Sequence, residues 1–89
     1  MIVDYGRSYL DDIEKIKDKT IIRRTHTVIE KLEAANSLRN VTNIKSMQGY
    51  SGYYRIRIGD FRIGFFLENE NIIMLLAVGH RSVFYRNFP

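Results

Sequence analysis

The sequence predicts a single α+β domain over residues 1–89, in which an N-terminal helical hairpin packs on one face of a twisted antiparallel sheet. Two periodicities support this fold class: apolar residues recur at helical spacing between residues 9 and 35, and they alternate with a period of two from residue 53 to residue 67. A chain of 89 residues with one proline and no internal repeat has room for one core only. We therefore expect one domain.

The helical hairpin occupies the first 36 residues. Residues 2–5 are compatible with a short strand before it, and Ser8 with Asp11 three residues later resembles a capping box that opens the first helix. A second helix is predicted from about Thr20 to Ala35, where Asn36-Ser37 supplies a stop. The apolar stripes are Tyr9, Leu10, Ile13 and Ile16 in the first helix, and Ile21, Ile22, Val28, Ile29, Leu32 and Ala35 in the second. No regular element is predicted for residues 37–50.

The sheet is predicted from three strands after residue 53. Gly59-Asp60 suits a two-residue type II′ turn, which fixes the register of the first hairpin. That register places Ile58 opposite Phe61, Arg57 opposite Arg62, Ile56 opposite Ile63 and Arg55 opposite Gly64. A second turn at Asn69-Glu70 returns Ile72–Val78, with Met74 by Phe65, Leu76 by Ile63, Val78 by Phe61 and Ala77 by Arg62.

Composition excludes several classes of protein. The chain has no cysteine, so a disulfide framework and a thiolate metal site are both excluded, and His26 and His80 are its only histidines. The longest apolar run, Ile72–Val78, is far shorter than the roughly 20 residues of a membrane span. We expect a soluble cytoplasmic protein that needs no metal or other cofactor.

The positive charge is concentrated in the second part of the sequence. The formal net charge is +4; residues 1–36 carry seven basic and seven acidic side chains, whereas residues 37–89 carry seven basic and three acidic ones. An excess of this kind favours an anionic partner, either a phosphate polymer or an acidic protein.

The predicted pairing brings Arg55, Arg57 and Arg62 together on the sheet face away from the core. Like charges that oppose each other directly destabilise a sheet, which favours a bound anion between them. Gly64 and Ala77 would leave the neighbouring backbone open to a bulky ligand. The alternative is a solvated face whose arginines splay apart.

The residues after Gly79 add side chains that can exchange protons. If extended geometry continues, Arg81 joins the arginine face and His80 lies at the strand end. Histidine and tyrosine beside cations are suited to RNA cleavage by the RNA's own 2′-hydroxyl, and Tyr85 is the tyrosine of this segment. Arginine stays protonated, so proton transfer falls to His80 or Tyr85. The rings of Tyr50, Tyr53 and Phe66 can stack nucleobases or be partly buried.

The order of these features resembles the RelE/ParE toxin superfamily. The resemblance rests on the basic strand and Gly-Asp-aromatic-Arg turn within residues 49–64, on Val78-Gly79-His80-Arg81, and on the late Tyr85-Arg86. It extends over nearly the whole chain and implies a toxin of a type II toxin–antitoxin system with the RelE-like fold.

Resemblance to the RelE branch implies a ribosome-dependent endoribonuclease that cleaves mRNA in the A site without a metal. It also implies a cognate antitoxin that wraps the toxin and blocks its active face. The implied catalytic residues are Arg55, Arg57, Arg62, Arg81 and Tyr85, with His80 as general acid or general base. The expected RNA-binding residues are Lys45, Tyr50, Tyr53 and Arg86.

One departure and two alternatives qualify this interpretation. Arg55 and Arg57 are often lysines in RelE toxins, and arginine does not exchange protons, so the general base stays open. The ParE branch shares the fold but inhibits DNA gyrase by binding it, without nuclease activity. The third hypothesis is a partner-binding module without activity of its own.

Overall fold

Five strands and three α-helices form the fold, and the computed structural model describes all of residues 1–89. The elements are β1 (Ile2–Tyr5), α1 (Arg7–Lys15), α2 (Lys19–Ala34), a 3-10 turn (Leu38–Asn40), β2 (Ile44–Ser46), β3 (Tyr53–Ile58), β4 (Phe61–Asn69), β5 (Ile72–His80) and α3 (Arg81–Asn87). The sheet order is β1-β5-β4-β3-β2. Strands β2 to β5 are antiparallel, whereas β1 pairs with β5 in parallel. The predicted α+β class is confirmed, with a mixed sheet.

The two N-terminal helices form the predicted hairpin but begin differently. Asp18 caps α2, because its carboxylate accepts hydrogen bonds from the backbone N–H groups of Thr20 and Ile21 at 2.9 and 3.2 Å. The predicted capping box at Ser8 is wrong: Gly6 is the N-cap of α1 and no side chain caps that helix. The Ser8 hydroxyl donates instead to the Leu76 carbonyl oxygen and ties α1 to β5.

The main core lies between the helical hairpin and one sheet face. Leu32 of α2, Ile63 of β4 and Leu75 of β5 are all fully buried there. The predicted alternation on the first strand of the hairpin is confirmed, since Ile56 and Ile58 are each only 1% exposed. Side chains on the opposite face of β3 therefore point away from this core. None of the helices has the length and apolar character needed to cross a bilayer.

The β3–β4 hairpin has the predicted register at every position. Ile58 pairs with Phe61, Arg57 with Arg62, Ile56 with Ile63 and Arg55 with Gly64. Gly59 has a φ of 59° and is followed by a residue with negative φ, as a type II′ turn requires. The two-residue turn determines which residues pair along β3 and β4, because no bulge interrupts the ladder between them.

The predicted β4–β5 register is wrong. Val78 pairs with Ile63, two residues away from the predicted partner, and Ala77 pairs with Gly64 rather than with Arg62. The turn lies one residue further along, where the Asn69 side chain accepts a hydrogen bond from the backbone N–H of Asn71 at 2.9 Å. Irregularities between Gly64 and Phe65 and between Leu67 and Asn69 then shift the pairing.

Three elements escaped prediction from sequence. Residues 37–50, for which no regular element was predicted, contain the 3-10 turn and β2, and β2 adds a fourth antiparallel strand beside β3. The predicted extended geometry after Gly79 is also wrong, because the chain turns into α3 at Arg81.

Helix α3 packs on the sheet face opposite the helical hairpin. Phe84 and Phe88 are each 4% exposed and pack with Ala77 in a second, smaller core. A Cβ atom at Gly64 would lie 2.7 Å from ring carbons of Phe88. Gly64 and Ala77 are therefore covered by aromatic rings, and the prediction that they leave the backbone open to a ligand is wrong.

Candidate nucleic-acid interface

Four cationic side chains share the sheet face opposite the main core. Cross-strand partners lie on the same face of a sheet. Arg57 pairs with Arg62, as predicted, and Lys45 pairs with Arg55. We call Lys45, Arg55, Arg57 and Arg62 the basic face. The sequence singled out Lys45 without placing it, because its position depends on β2.

The basic face has no carboxylate partner. The chain forms two ion pairs, Arg7 with Asp11 and Arg81 with Asp60, and neither includes a residue of the basic face. Lys45 and Arg57 are exposed, and Arg55 is half-buried. The positive potential of this face is therefore not neutralised within the protein, and it can attract an anion.

Arg62 is held over the hairpin turn. Its Nη1 atom donates hydrogen bonds to the carbonyl oxygens of Gly59 and Phe61, both at 2.9 Å. Its Nε atom is buried and has no acceptor in the protein. The guanidinium of Arg62 is thus more restrained than those of Arg55 and Arg57, and it stabilises the turn as well as adding charge.

The same turn anchors the start of α3. The backbone N–H of Arg81 donates to the Asp60 carbonyl oxygen at 2.7 Å, and Nε of Arg81 lies 3.9 Å from the Asp60 carboxylate. Both side chains are well exposed, so the ion pair itself contributes little to stability. These contacts place Arg81 at the same turn as Arg62. Arg81 reaches this position from a helix and not, as predicted, from an extended strand.

His80 is the N-cap of α3, at the predicted strand end. Its Nδ1 accepts a hydrogen bond from the backbone N–H of Ser82 at 3.1 Å and lies 2.8 Å from the Ser82 hydroxyl oxygen. In the tautomer in which Nδ1 accepts this bond, the neutral ring carries its proton on Nε2. In this state His80 can donate a hydrogen bond through Nε2 but cannot accept a proton there.

Tyr85 and Arg86 lie exposed on α3. Tyr85 is 46% exposed, and its ring packs edge-on against Phe84 with the centroids 4.9 Å apart. Arg81 and Tyr85 are four residues apart, so they share one side of the helix. The Tyr85 hydroxyl forms no hydrogen bond within the protein, which leaves it free to meet a substrate.

The aromatic residues divide into an exposed ring and a packed group. Tyr50 is 53% exposed, with its centroid 6.4 Å from that of Tyr53. Tyr53 packs against Phe66 at 4.8 Å and against Phe88 at 6.0 Å. Tyr50 can therefore offer an open face to a base, whereas Tyr53 packs against the second core and Phe66 packs against Tyr53. Sequence reasoning missed Phe88, whose four-residue spacing from Phe84 was the available signal.

The groups with shifted pKa values lie outside this site. Burial, with a smaller contribution from Tyr5, raises the pKa of Tyr9 to about 12. Burial and the nearby Glu33 carboxylate raise the pKa of Tyr5. Both tyrosines belong to the β1–α1 end of the fold. The chain contains no cluster of three or more His, Asp or Glu side chains that could hold a metal ion.

Comparison with known proteins gives consistent matches over nearly the whole chain. Residues 3–84 match the family described as the ParE toxin of the type II toxin–antitoxin system, parDE. The chain is 33% identical to Toxin RelE3 of Methanocaldococcus jannaschii over the full length of both proteins. A RelB–RelE antitoxin–toxin complex from Methanococcus jannaschii contains a chain with 32% identity and a TM-score of 0.81, covering 97% of this chain and 99% of that one. The archaeal RelE–RelB complex from Pyrococcus horikoshii shares the fold, with 20% identity, a TM-score of 0.71 and coverage of 91% and 94%.

Proposed function

The chain belongs to the RelE/ParE family of toxins of type II toxin–antitoxin systems, and we propose that it is a ribosome-dependent endoribonuclease that cleaves mRNA in the A site. The observation that carries this proposal is the basic face, whose cations have no carboxylate partner. Helix α3 begins at the turn that carries Arg62 and adds Arg81 and Tyr85 at that end of the sheet. Cations beside groups that exchange protons suit cleavage of a phosphodiester.

The arginines bind and stabilise the scissile phosphate. Attack of the 2′-hydroxyl on the adjacent phosphorus gives a pentacovalent transition state with added negative charge on the phosphoryl oxygens. Arg55, Arg57 and Arg81 supply positive charge there, and Arg62 adds a guanidinium that is already held in place. Arginine suits this role because its planar fork of donors matches phosphate and keeps its charge.

Proton transfer involves Tyr85, and His80 acts as a hydrogen-bond donor. The 2′-oxygen loses a proton as it bonds to phosphorus, and the departing 5′-oxygen gains one as its bond to phosphorus breaks. The free hydroxyl of Tyr85 exchanges a proton with one of these oxygens and a solvent water with the other, so that the proton lost at the 2′-oxygen balances the one gained at the 5′-oxygen. His80, with Nδ1 occupied by Ser82, donates from Nε2 to a phosphoryl oxygen. The products are a 2′,3′-cyclic phosphate and a 5′-hydroxyl, and no step requires a metal.

The remaining expected residues bind the RNA outside the scissile bond. Lys45 extends the basic face along β2, and Arg86 extends it along α3. Tyr50 stacks on a base, and Tyr53 supports it from the second core. The partners proposed for the chain are the ribosome with its mRNA in the cytoplasm, and a cognate antitoxin, which two structural relatives carry as RelB.

Primer extension on cellular mRNA after induction of the chain tests this proposal. We expect new 5′ ends in phase with the reading frame, and only in translated messages. The Tyr85→Phe variant keeps the ring packed on Phe84 and removes only the hydroxyl, so it serves as the matched control and should leave mRNA intact. Growth arrest with intact mRNA in the wild type would contradict the proposal.

DNA gyrase inhibition is the second candidate, because the matching family is described by the ParE toxin. A gyrase binder uses protein contacts and does not need the Tyr85 hydroxyl. A supercoiling assay with purified gyrase separates the two functions: inhibition by both the wild type and Tyr85→Phe would support the ParE-type activity, and no inhibition by either favours RNA cleavage.

A further inference from the structure

The imidazole ring of His80 is held by three contacts, two of which come from a single residue. Its Nδ1 atom lies 2.8 Å from the Ser82 hydroxyl oxygen and 3.1 Å from the Ser82 backbone nitrogen. The third contact is with its cross-strand partner Phe61, whose ring stands at 84° to the imidazole with the centroids 5.4 Å apart. The Nε2 atom forms no hydrogen bond within the protein, and His80 is exposed. The ring is thus restrained at Nδ1 and free at Nε2.

The place of Ser82 in α3 favours one direction for these hydrogen bonds. Ser82 lies in the first turn of α3, where a backbone N–H has no carbonyl acceptor within the helix and needs one elsewhere. Nδ1 is that acceptor only while it carries no proton. The Ser82 hydroxyl can donate or accept, but a proton on Nδ1 would face the backbone N–H and leave it without an acceptor. Both groups of Ser82 therefore favour the neutral ring with its proton on Nε2.

The Ser82 hydroxyl is the closer of the two donors, and α3 does not need it for its cap. The backbone N–H of Ser82 completes the N-cap with any side chain at this position. Without the hydroxyl, the ring keeps one hydrogen bond at 3.1 Å and turns more freely about the Cβ–Cγ bond of His80. A donor that is held in one direction stabilises developing charge better than a mobile one does. The hydroxyl therefore orients the Nε2–H group.

We propose that Ser82 is a positioning residue of the proposed active site. Its hydroxyl donates to Nδ1 of His80, fixes the tautomer with the proton on Nε2, and directs that proton towards a phosphoryl oxygen of the scissile bond. The inference rests on the proposed function, in which His80 donates from Nε2. It assigns a role to a residue that sequence analysis did not single out. Because Ser82 acts through the imidazole ring, its effect must disappear when that ring is absent.

The ¹⁵N NMR signals of the His80 ring nitrogens test the tautomer on the complete chain. Spectra are recorded at an alkaline pH that leaves the histidine rings neutral, and His80→Asn identifies the signals, because His26 is the only other histidine. The wild type and Ser82→Thr, which keeps the hydroxyl, should carry the proton on Nε2. In Ser82→Ala the two nitrogen shifts should move towards the average of the two tautomers. Equal shifts in the wild type and Ser82→Ala would overturn the proposal.

Single-turnover cleavage on programmed ribosomes tests whether Ser82 acts through His80. We expect Ser82→Ala to lower the rate about three- to tenfold, as the loss of one neutral hydrogen bond predicts, and Ser82→Thr to stay within about twofold of the wild type. In the His80→Asn background, where asparagine still caps α3, Ser82→Ala should cause no further loss. An equal loss in both backgrounds would show that Ser82 acts independently of the ring, and the proposal would be wrong. If the wild type cleaves no mRNA, the proposed function fails, while the nitrogen shifts still decide whether Ser82 sets the tautomer.

Discussion

At the scale of single residues, the buried hydroxyl of Tyr9 makes a clear prediction. Tyr9 is 2% exposed and its hydroxyl has no hydrogen-bond partner. A buried polar group without a partner costs about 1–3 kcal/mol. We expect Tyr9→Phe, which keeps the ring, to raise the free energy of unfolding at neutral pH by about 1 kcal/mol, measured by urea denaturation. A loss of stability would show that the hydroxyl has a favourable interaction.

The same residue predicts how stability depends on alkaline pH. Folded Tyr9 keeps its proton up to a pKa of about 12, whereas an unfolded tyrosine ionises near 10. Between these values the unfolded chain binds fewer protons, so stability is complete below about pH 10 and falls as pH rises towards 12. Tyr9→Phe should reduce this loss without abolishing it, because the raised pKa of Tyr5 acts in the same direction. Identical alkaline profiles for both proteins would contradict this.

His80 combines a structural role with the proposed chemical one, and two substitutions separate them. His80→Asn keeps an N-cap acceptor for α3 and removes the ring, whereas His80→Ala removes both. We expect both variants to lose about 10²-fold in cleavage rate, since each lacks the Nε2 donor. Only His80→Ala should loosen α3, which faster proteolysis of the C-terminal segment would report. Full cleavage by His80→Asn would remove His80 from the chemistry.

The sequence predicted the partners of single residues correctly where a short turn determined the strand register. The Gly59-Asp60 turn was sufficient to place Arg57 opposite Arg62, as the structure shows. It could not show that Arg62 bonds to the turn carbonyls or that Nδ1 of His80 caps a helix. Both depend on side-chain conformations that arise only once α3 and the turn have met.

At the scale of elements, the contact of Phe88 with Gly64 determines whether α3 stays on the sheet. A methyl group at position 64 would lie 2.7 Å from the Phe88 ring, so one of the two must move. We expect Gly64→Ala to cost about 1–3 kcal/mol in thermal unfolding and to displace the C-terminal segment. The cost should fall when Phe88→Ala is added, because the clash is then removed. Additive effects of the two substitutions would contradict this contact.

The elements that the sequence did not predict are those with too few residues to show a period. Strand β2 has three residues and α3 has seven, and neither spans enough turns or alternations for a pattern to emerge. The β4–β5 register failed for another reason. Irregularities within the β4–β5 ladder shift its pairing, and no local pattern on β4 reveals them.

At the scale of the whole molecule, positive charge lies on two surfaces with different characters. On the basic face, the cations lie near Tyr50. In the groove between α2 and the segment before β2, Arg24 and Lys31 lie around an apolar lining. Sequence analysis located the charge excess in residues 37–89 but could not separate these surfaces, because Arg24 and Lys31 belong to the balanced first segment. Folding brings them beside Arg57.

Salt dependence measures the part that the basic face plays in the proposed RNA binding. Each phosphate contact contributes about 0.7 to the slope of log affinity against log salt for a single strand. We expect K45Q/R57Q to reduce that slope by about 1.4 on an RNA oligonucleotide, with the fold unchanged, because both side chains are exposed. The variant K15E/K19E, whose substitutions lie outside the basic face, should keep the part of the slope that comes from Lys45 and Arg57. An unchanged slope for K45Q/R57Q would place the RNA elsewhere.

Cleavage of a labelled mRNA by the purified chain on programmed ribosomes tests the central claim most directly. We expect the wild type to cut within the A-site codon, to leave a 2′,3′-cyclic phosphate, and to spare the same mRNA without ribosomes. Tyr85→Phe should slow the single-turnover rate by about 10²–10⁴-fold, and His80→Gln by less. No cleavage by the wild type on saturating ribosomes, or full rates for both variants, would contradict the account.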